Sequence, residues 1–111
     1  MASLKSVING TITLSSSVET NFTAAILAAN VYVLVVDLFP MLSVDTIILN
    51  IYTTTKPSGT ERLSFTKTFV GVQSPPIQYS VPVPVDTEIR CTITASVNGQ
   101  HSYDWNILSV Q

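Results

Sequence analysis

The strongest structural signal in this sequence is the segment Glu88 to Val97, in which apolar and polar side chains alternate without interruption. Alternation with a period of two is typical of a β-strand that has one buried face and one solvated face. The segment therefore predicts such a strand. The apolar side chains of its buried face are Ile89, Cys91, Ile93, Ala95 and Val97.

The residues that follow this strand predict a hairpin. Asn98-Gly99 is a strong signal for a type I′ turn, because both central residues of that turn need a positive φ. A final strand is predicted over His101 to Leu108, with Tyr103, Trp105 and Ile107 on one face. We expect that face to pack against the apolar face of the preceding strand.

A second hairpin is predicted around Lys56 to Thr60, where a proline presets φ and a glycine admits a left-handed residue. Asp45 to Thr55 and Glu61 to Gly71 are predicted to be its paired antiparallel strands. Their shared core face is expected to contain Ile47, Leu49, Ile51, Leu63, Phe65 and Phe69.

The remaining segments give weaker or more ambiguous strand signals. Val31 to Leu38 is apolar on both faces, as expected of a central strand or of a strand at a subunit contact. Shorter strands are predicted at Gly10 to Ser15 and Val18 to Thr23, although the helix propensity of Phe22 to Ala29 leaves a short helical turn open. Ser74 to Val85 holds four of the six prolines, so it is an edge strand or an extended connection.

Together these segments predict an all-β fold, an antiparallel eight-stranded β-sandwich, and the 24 Val and Ile residues agree with it. A jelly roll is favoured over an immunoglobulin-like sandwich, because a single cysteine cannot form a disulfide around a tryptophan. The chain length suits one domain. We assign residues 10–111 to that domain and residues 1–9 to an N-terminal arm or first strand.

Charge and cysteine content exclude several functional classes. The net charge is −2 and the five basic residues are scattered, so we expect no nucleic-acid partner. One cysteine and one histidine cannot supply the four or so ligands of a Cys/His zinc site, and no cofactor is expected. Residues 1–10 lack the apolar core of a secretory signal, and residues 24–36 are too few to span a bilayer, so no membrane contact is expected.

Few side chains qualify as catalytic or metal-binding groups. The position of His101 beside the Asn-Gly turn favours a solvated loop imidazole over an acid–base catalyst. Cys91 lies among buried positions, which favours an inert thiol over a nucleophile. Asp37 and Asp45 flank a predicted turn, and capping of that turn is favoured over calcium binding, which takes about six oxygen ligands. No catalytic residue and no metal site is therefore predicted.

Six stretches spread along the chain share one resemblance. They are Gly10 to Leu14, Val31 to Leu38, Leu42 to Tyr52, Ser74 to Ile77, Pro82 to Val85 and Asp104-Trp105. Taken together, these stretches resemble a family of small proteins from phage and archaeal-virus genomes and viral metagenomes. The resemblance extends from about residue 10 to residue 108. It rests on turn formers, core alternation and a packed tryptophan, without a catalytic signature.

The resemblance implies a non-enzymatic virion component, such as a capsid decoration or cement protein, made in the host cytoplasm. It implies a homotrimer that contacts the major capsid protein. A small, charge-poor domain also leaves apolar surface outside, which association covers. We expect the interface near the doubly apolar strand and the proline-rich edge. The expected residues are Tyr32, Leu34, Val36, Leu38, Phe39, Met41, Tyr79, Val81 and Val83.

An alternative role is that of a carbohydrate-binding module or host-glycan adhesin on a virion surface. Jelly-roll modules of that kind stack sugar rings on exposed aromatic side chains, and Tyr103 with Trp105 is the candidate platform. Both residues fall on the predicted core face, where a large ring with one polar group is normal. A core position is therefore favoured over a platform.

Overall fold

A computed structural model of the protein describes residues 4–14, 18–26, 28–54, 56, 59–86, 88–96 and 101–110. Within these ranges it contains nine strands and no helix, which confirms the all-β prediction. The strands are β1 (Leu4–Thr13), β2 (Thr20–Ile26), β3 (Asn30–Asp37), β4 (Thr46–Thr54), β5 (Glu61–Val70), β6 (Ile77–Tyr79), β7 (Val83–Val85), β8 (Glu88–Ala95) and β9 (Ser102–Val110).

The nine strands form two antiparallel sheets. Sheet 1 has the order β1-β9-β3, with β6 and β7 both paired to β3, and sheet 2 has the order β2-β8-β4-β5. The pairs are nested, with β4 and β5 innermost, then β3 with β6 and β7, then β2 with β8, and finally β1 with β9. One long hairpin wound into two sheets in this way is a jelly roll.

The proline-rich segment explains why there are nine strands and not eight. β6 and β7 pair with opposite ends of β3, and residues 80–82 between them form no strand. Ser80 Oγ accepts a hydrogen bond from the Leu34 amide (2.9 Å), and the Ser80 amide donates to the Leu34 carbonyl (2.8 Å). Because proline has no amide donor, Pro82 cannot continue the ladder, and the predicted edge strand becomes two short ones.

The predicted pairing of the last two strands is wrong, although both strands exist. β8 lies in sheet 2 between β2 and β4, whereas β9 lies in sheet 1 between β1 and β3. Both edges of β8 are occupied by other strands, so the connection that follows it leads to the opposite sheet. The turn residues Asn98-Gly99 lie outside the described residues.

The hairpin of β4 and β5 is confirmed, with one change of register. Ile51 lies opposite Phe65, as predicted for a shared core face. The register then shifts at a bulge, and Leu63 lies opposite Tyr52. Leu63 is therefore on the outer face and 52% exposed, not in the core as the sequence predicted. Residues 57 and 58 of the turn lie outside the described part of the chain.

The two N-terminal strands are longer than the sequence predicted. β1 pairs with β9 from Leu4 onward, so the strand begins before the predicted Gly10. β2 pairs with β8 as far as Ile26. The helical alternative for this segment is therefore wrong up to Ile26, because pairing with a central strand overrides the local helix propensity.

The hydrophobic core lies between the two sheets, where inward-facing residues of β3 and β9 meet those of β4 and β8. Trp105 and Phe22 pack with their ring centroids 5.2 Å apart. A Cβ atom added to Gly10 would lie 3.1 Å from the Trp105 ring. Glycine at this position thus allows the indole to approach the backbone of β1 closely.

Candidate interaction surface

Five large apolar side chains are exposed at one end of the sandwich, in or beside the β3–β4 loop (residues 38–45) and the β5–β6 loop (residues 71–76). We call this surface the apolar end. It consists of Phe39, Leu42, Val44, Val70 and Val72, which are 56–77% exposed. The two loops are joined by the Gly71 amide, which donates to the Asp45 carbonyl (2.8 Å), and by the Leu38 amide, which donates to the Pro76 carbonyl (2.9 Å). Several exposed apolar side chains on adjoining loops are typical of contact surfaces.

A buried carboxylate fixes the shape of the β3–β4 loop. Asp45 is 0% exposed, and its Oδ2 accepts a hydrogen bond from the Leu42 amide (2.7 Å) and lies 3.2 Å from His101 Nε2. At the other end of the loop, Asp37 Oδ1 accepts a hydrogen bond from the Phe39 amide (3.0 Å). Both aspartates thus bind backbone amides of the loop, as expected of turn caps.

The two titratable groups that the sequence singled out have different surroundings. His101 is not the solvated imidazole that the sequence favoured, because its side chain is 31% exposed and paired with buried Asp45. Burial is the main cause that raises the pKa of Tyr103 to about 12, and the negative charge of Asp45 adds to this effect. Burial alone raises the pKa of the Cys91 thiol to about 12, so this thiol is protonated at neutral pH, as expected of an inert cysteine.

A small pocket lies on the outer face of sheet 1, where β3, β6 and β9 meet. We call it the acidic pocket, because two carboxylates line an otherwise mainly apolar hollow of about 140 Å³. Its lining residues are Val35, Asp37, Ile77, Asp104, Trp105 and Asn106. Asp104 Oδ1 also accepts a hydrogen bond from Thr11 Oγ1 (2.6 Å), which links the pocket to β1.

The outer face of sheet 2 carries a polar network instead. Glu19 Oε2 accepts hydrogen bonds from Thr92 Oγ1 (2.6 Å), Tyr52 Oη (2.6 Å) and Asn50 Nδ2 (3.0 Å). These hydrogen bonds, with that from Thr92 contributing most, lower the pKa of the Glu19 carboxyl. The residues of the network are 31 to 73 positions apart from Glu19 in the chain, so no local sequence pattern indicates it.

The Glu19 network makes the stability of the fold depend on pH. Because the pKa of Glu19 is held below 4.5, its carboxylate contributes fully above about pH 4.5, and this contribution is lost as pH falls through the lowered pKa. Glu19 is exposed, so solvent screening limits the effect to ~0.5 kcal/mol. We expect the wild-type protein to have a larger free energy of unfolding than the Glu19→Gln variant near pH 6. This difference is expected to shrink towards pH 3. Urea unfolding at both pH values measures the difference. Glu88→Gln, at an exposed carboxylate of the same face, is the control, and a pH-independent difference for Glu19→Gln would contradict the assignment.

Most of the residues expected at the interface are in the core. The expectation that these side chains lie on the surface is wrong for six of them, because they point inward from β3, β7 and the β3–β4 loop. Those six are Tyr32, Leu34, Val36, Leu38, Met41 and Val83, which are 0–4% exposed. Phe39, Tyr79 and Val81 are exposed, at 77%, 59% and 55%. The apolar run of β3 is therefore explained mainly by the core.

The candidate glycan platform is also buried. Tyr103 is 0% exposed and Trp105 is 8% exposed. The core position that the sequence favoured for both rings is confirmed, and neither ring offers a face on which a sugar can stack.

The described residues contain neither a cluster of metal ligands nor a membrane-spanning helix. Among them, no group of three or more His, Cys, Asp and Glu side chains is placed to hold a metal ion. No helix in the same ranges is long and apolar enough to cross a membrane.

No protein-family model matches this chain, and a search of curated proteins gives no match. Among solved structures, the chain is similar to part of a chain from infectious bursal disease virus, Gx strain, with 14% identity and a TM-score of 0.48, over 99% of this chain and 33% of that chain. For the Gt strain the identity is 14% and the TM-score 0.47, over 99% and 32% of the two chains. For the T13 viral particle of the same virus, the identity is 14% and the TM-score is 0.46, over 98% of this chain and 30% of that chain. The chain thus spans about a third of the length of these chains, and at TM-scores below 0.5 the similarity transfers no function to it.

Proposed function

We propose that this chain is a non-enzymatic structural protein of a virion, a capsid decoration or cement protein that forms a trimer and binds the major capsid protein. The virion setting rests on the sequence resemblance described above. A role in contact with a partner protein is supported by the apolar end, where five large apolar side chains in or beside two hydrogen-bonded loops are 56–77% exposed. Such a surface is unfavourable in water, and a partner that covers it gains the corresponding free energy.

The edge strands favour association with a partner through loops and sheet faces, and they disfavour association through sheet edges. Lys67, on edge strand β5, lies opposite core-facing Leu49, and Lys5, on edge strand β1, lies opposite buried Ser109. Each lysine is thus on the side of its edge strand that faces the other sheet. An inward-facing charge of this kind opposes pairing with the edge of another sheet. These lysines therefore disfavour assembly in which copies of the chain add edge to edge into an extended sheet.

Mass spectrometry of virus particles purified on a density gradient, from a host that produces this chain, tests the proposal. We expect the chain in those particles at a fixed ratio to the shell protein. The double variant Phe39→Ser, Val44→Ser removes two side chains of the apolar end, and we expect it to be depleted from the particles by ~10-fold or more. Leu4→Ser removes an apolar side chain that is 53% exposed outside the apolar end, and serves as the matched control. A wild-type chain found only outside the particles would contradict the proposal.

A further inference from the structure

The outer face of sheet 1 is apolar around β3. Tyr32, Leu34 and Val36 point into the core, so the residues that alternate with them in β3 point outward. These outward-facing residues are Val31, Val33 and Val35. Val33 is only 8% exposed, yet it lies outside the core cluster between the sheets. The core thus accounts for one face of β3, whereas no described element covers the other apolar face.

Neighbouring strands extend this apolar surface. Leu108 of β9 lies opposite Val33, and Tyr79 of β6 lies opposite Val35. Ile77, two residues before Tyr79 in β6, points the same way. Ile77 and Tyr79 are 45% and 59% exposed. We call this surface the β3 patch, and it consists of Val31, Val33, Val35, Ile77, Tyr79 and Leu108.

Polar networks occupy the surfaces beside the patch and on the opposite side of the sandwich. On β1, beyond β9, the side chains of Ser6, Thr11 and Thr13 form hydrogen bonds with outward-facing side chains of β9. The outer face of sheet 2 carries the Glu19 network. An antiparallel sheet that meets water normally has polar residues on its solvated face. The β3 patch departs from that pattern, as expected of a face that another molecule covers.

We propose that the β3 patch is the surface through which copies of this chain associate, so that each patch is covered by the patches of neighbouring copies. This inference rests on the proposed self-association and names the surface that forms it. In the proposed trimer the three patches face the three-fold axis. The apolar end, which lies in the loops, is left to the shell protein.

The chemistry of the patch favours further copies of the chain over a different protein. Its six residues carry no charge, whereas contacts between different proteins use complementary charges for selectivity. Interfaces between identical subunits are more apolar than contacts between proteins that also exist apart. The broad face of the molecule measures 39 × 33 Å, which has room for the ~800 Å² per partner that a stable interface buries.

The carboxylates of sheet 1 mark the margin of this contact. Asp37 and Asp104 line the acidic pocket, at one end of the β3 patch. Each accepts a hydrogen bond within the chain, Asp37 from the Phe39 amide and Asp104 from Thr11 Oγ1. Burying the like charges of several copies together is unfavourable, so we expect these carboxylates to stay in contact with water. Apolar burial then drives the association.

Light scattering coupled to size exclusion, over a range of concentrations, tests this contact. One variant, Tyr79→Ser, removes a side chain that is mostly exposed in the single chain, so its loss leaves the core intact. A second variant combines Val35→Thr with Leu108→Thr, which places hydroxyl groups at two half-buried positions and keeps residues suited to strands. We expect each variant to raise the dissociation constant of the oligomer by ~10-fold or more.

Two substitutions on the outer face of sheet 2 are the matched controls. Leu63→Ser removes an apolar side chain that is 52% exposed, and Ile48→Thr alters a half-buried one in a central strand. We expect each control to change the dissociation constant by less than ~3-fold. Circular dichroism verifies that every variant is folded.

The results separate this contact from self-association itself. Patch variants that associate as tightly as the wild-type chain would overturn the contact and leave self-association in place. A wild-type chain that is monomeric at every concentration would overturn self-association and this contact together. Depletion of the Tyr79→Ser variant from virus particles would in that case assign the β3 patch to the shell protein.

Discussion

Replacing Trp105 with alanine is expected to lower the free energy of unfolding by ~3–5 kcal/mol, the cost of removing a buried aromatic side chain. Trp105 is 8% exposed, packs against Phe22 and lies close to the backbone of Gly10. The substitution therefore leaves a cavity between the two sheets that their strands cannot close. Small domains are stable by only ~5–15 kcal/mol, so we expect this variant to be partly unfolded at moderate urea concentrations.

Urea unfolding at one fixed protein concentration measures the effect, because association contributes to apparent stability. Leu4→Ala is the matched control, since Leu4 is a large apolar residue that is 53% exposed outside the apolar end, and we expect it to cost less than ~0.5 kcal/mol. Trp105→Phe keeps part of the buried area and is expected to lie between the two. A loss below ~1 kcal/mol for Trp105→Ala would show that the indole does not fill the core as described.

Replacing Asp45 with alanine is expected to lower the free energy of unfolding by ~3 kcal/mol, because it removes a fully buried carboxylate and leaves the groups that contact it without a partner. Asp45 is 0% exposed, accepts a hydrogen bond from the Leu42 amide and lies 3.2 Å from His101 Nε2. Without the carboxylate, the β3–β4 loop loses the bond that fixes it. We therefore also expect the Leu42 amide to exchange its hydrogen faster.

Urea unfolding and amide hydrogen exchange measure these two effects. Asp37→Ala is the matched control, because Asp37 accepts one backbone hydrogen bond in the same loop but is only partly buried. We expect it to cost ~1 kcal/mol or less. An equal or larger cost for Asp37→Ala would contradict the role of Asp45 in holding the loop that carries three residues of the apolar end.

The strands of this jelly roll could be predicted because their signal is local. The alternation in Glu88 to Val97 and the apolar run of Val31 to Leu38 each mark a strand that the structure contains. The sheet to which each strand belongs is not local information. Asn98-Gly99 indicates a tight turn but does not state whether the strands beside it pair or face each other across the core. The register is similarly non-local, since the bulge that exposes Leu63 depends on how β5 meets β4.

The candidate surface was harder to predict than the fold. The sequence indicated an apolar contact near the end of β3, and Phe39 is indeed exposed there, but Leu34 and Val36 are core residues. Hydropathy alone does not distinguish a strand covered by a second sheet from one covered by a second molecule. The pairing of Asp45 with His101 joins residues 56 positions apart, so only the folded chain brings them together.

The most direct measurement is the solution mass of the wild-type chain, by light scattering coupled to size exclusion over a hundredfold range of concentration. A chain that functions by self-association is expected to give a stable mass near three times 12.0 kDa, which falls only at the lowest concentrations. A mass of 12.0 kDa at every concentration would contradict self-association.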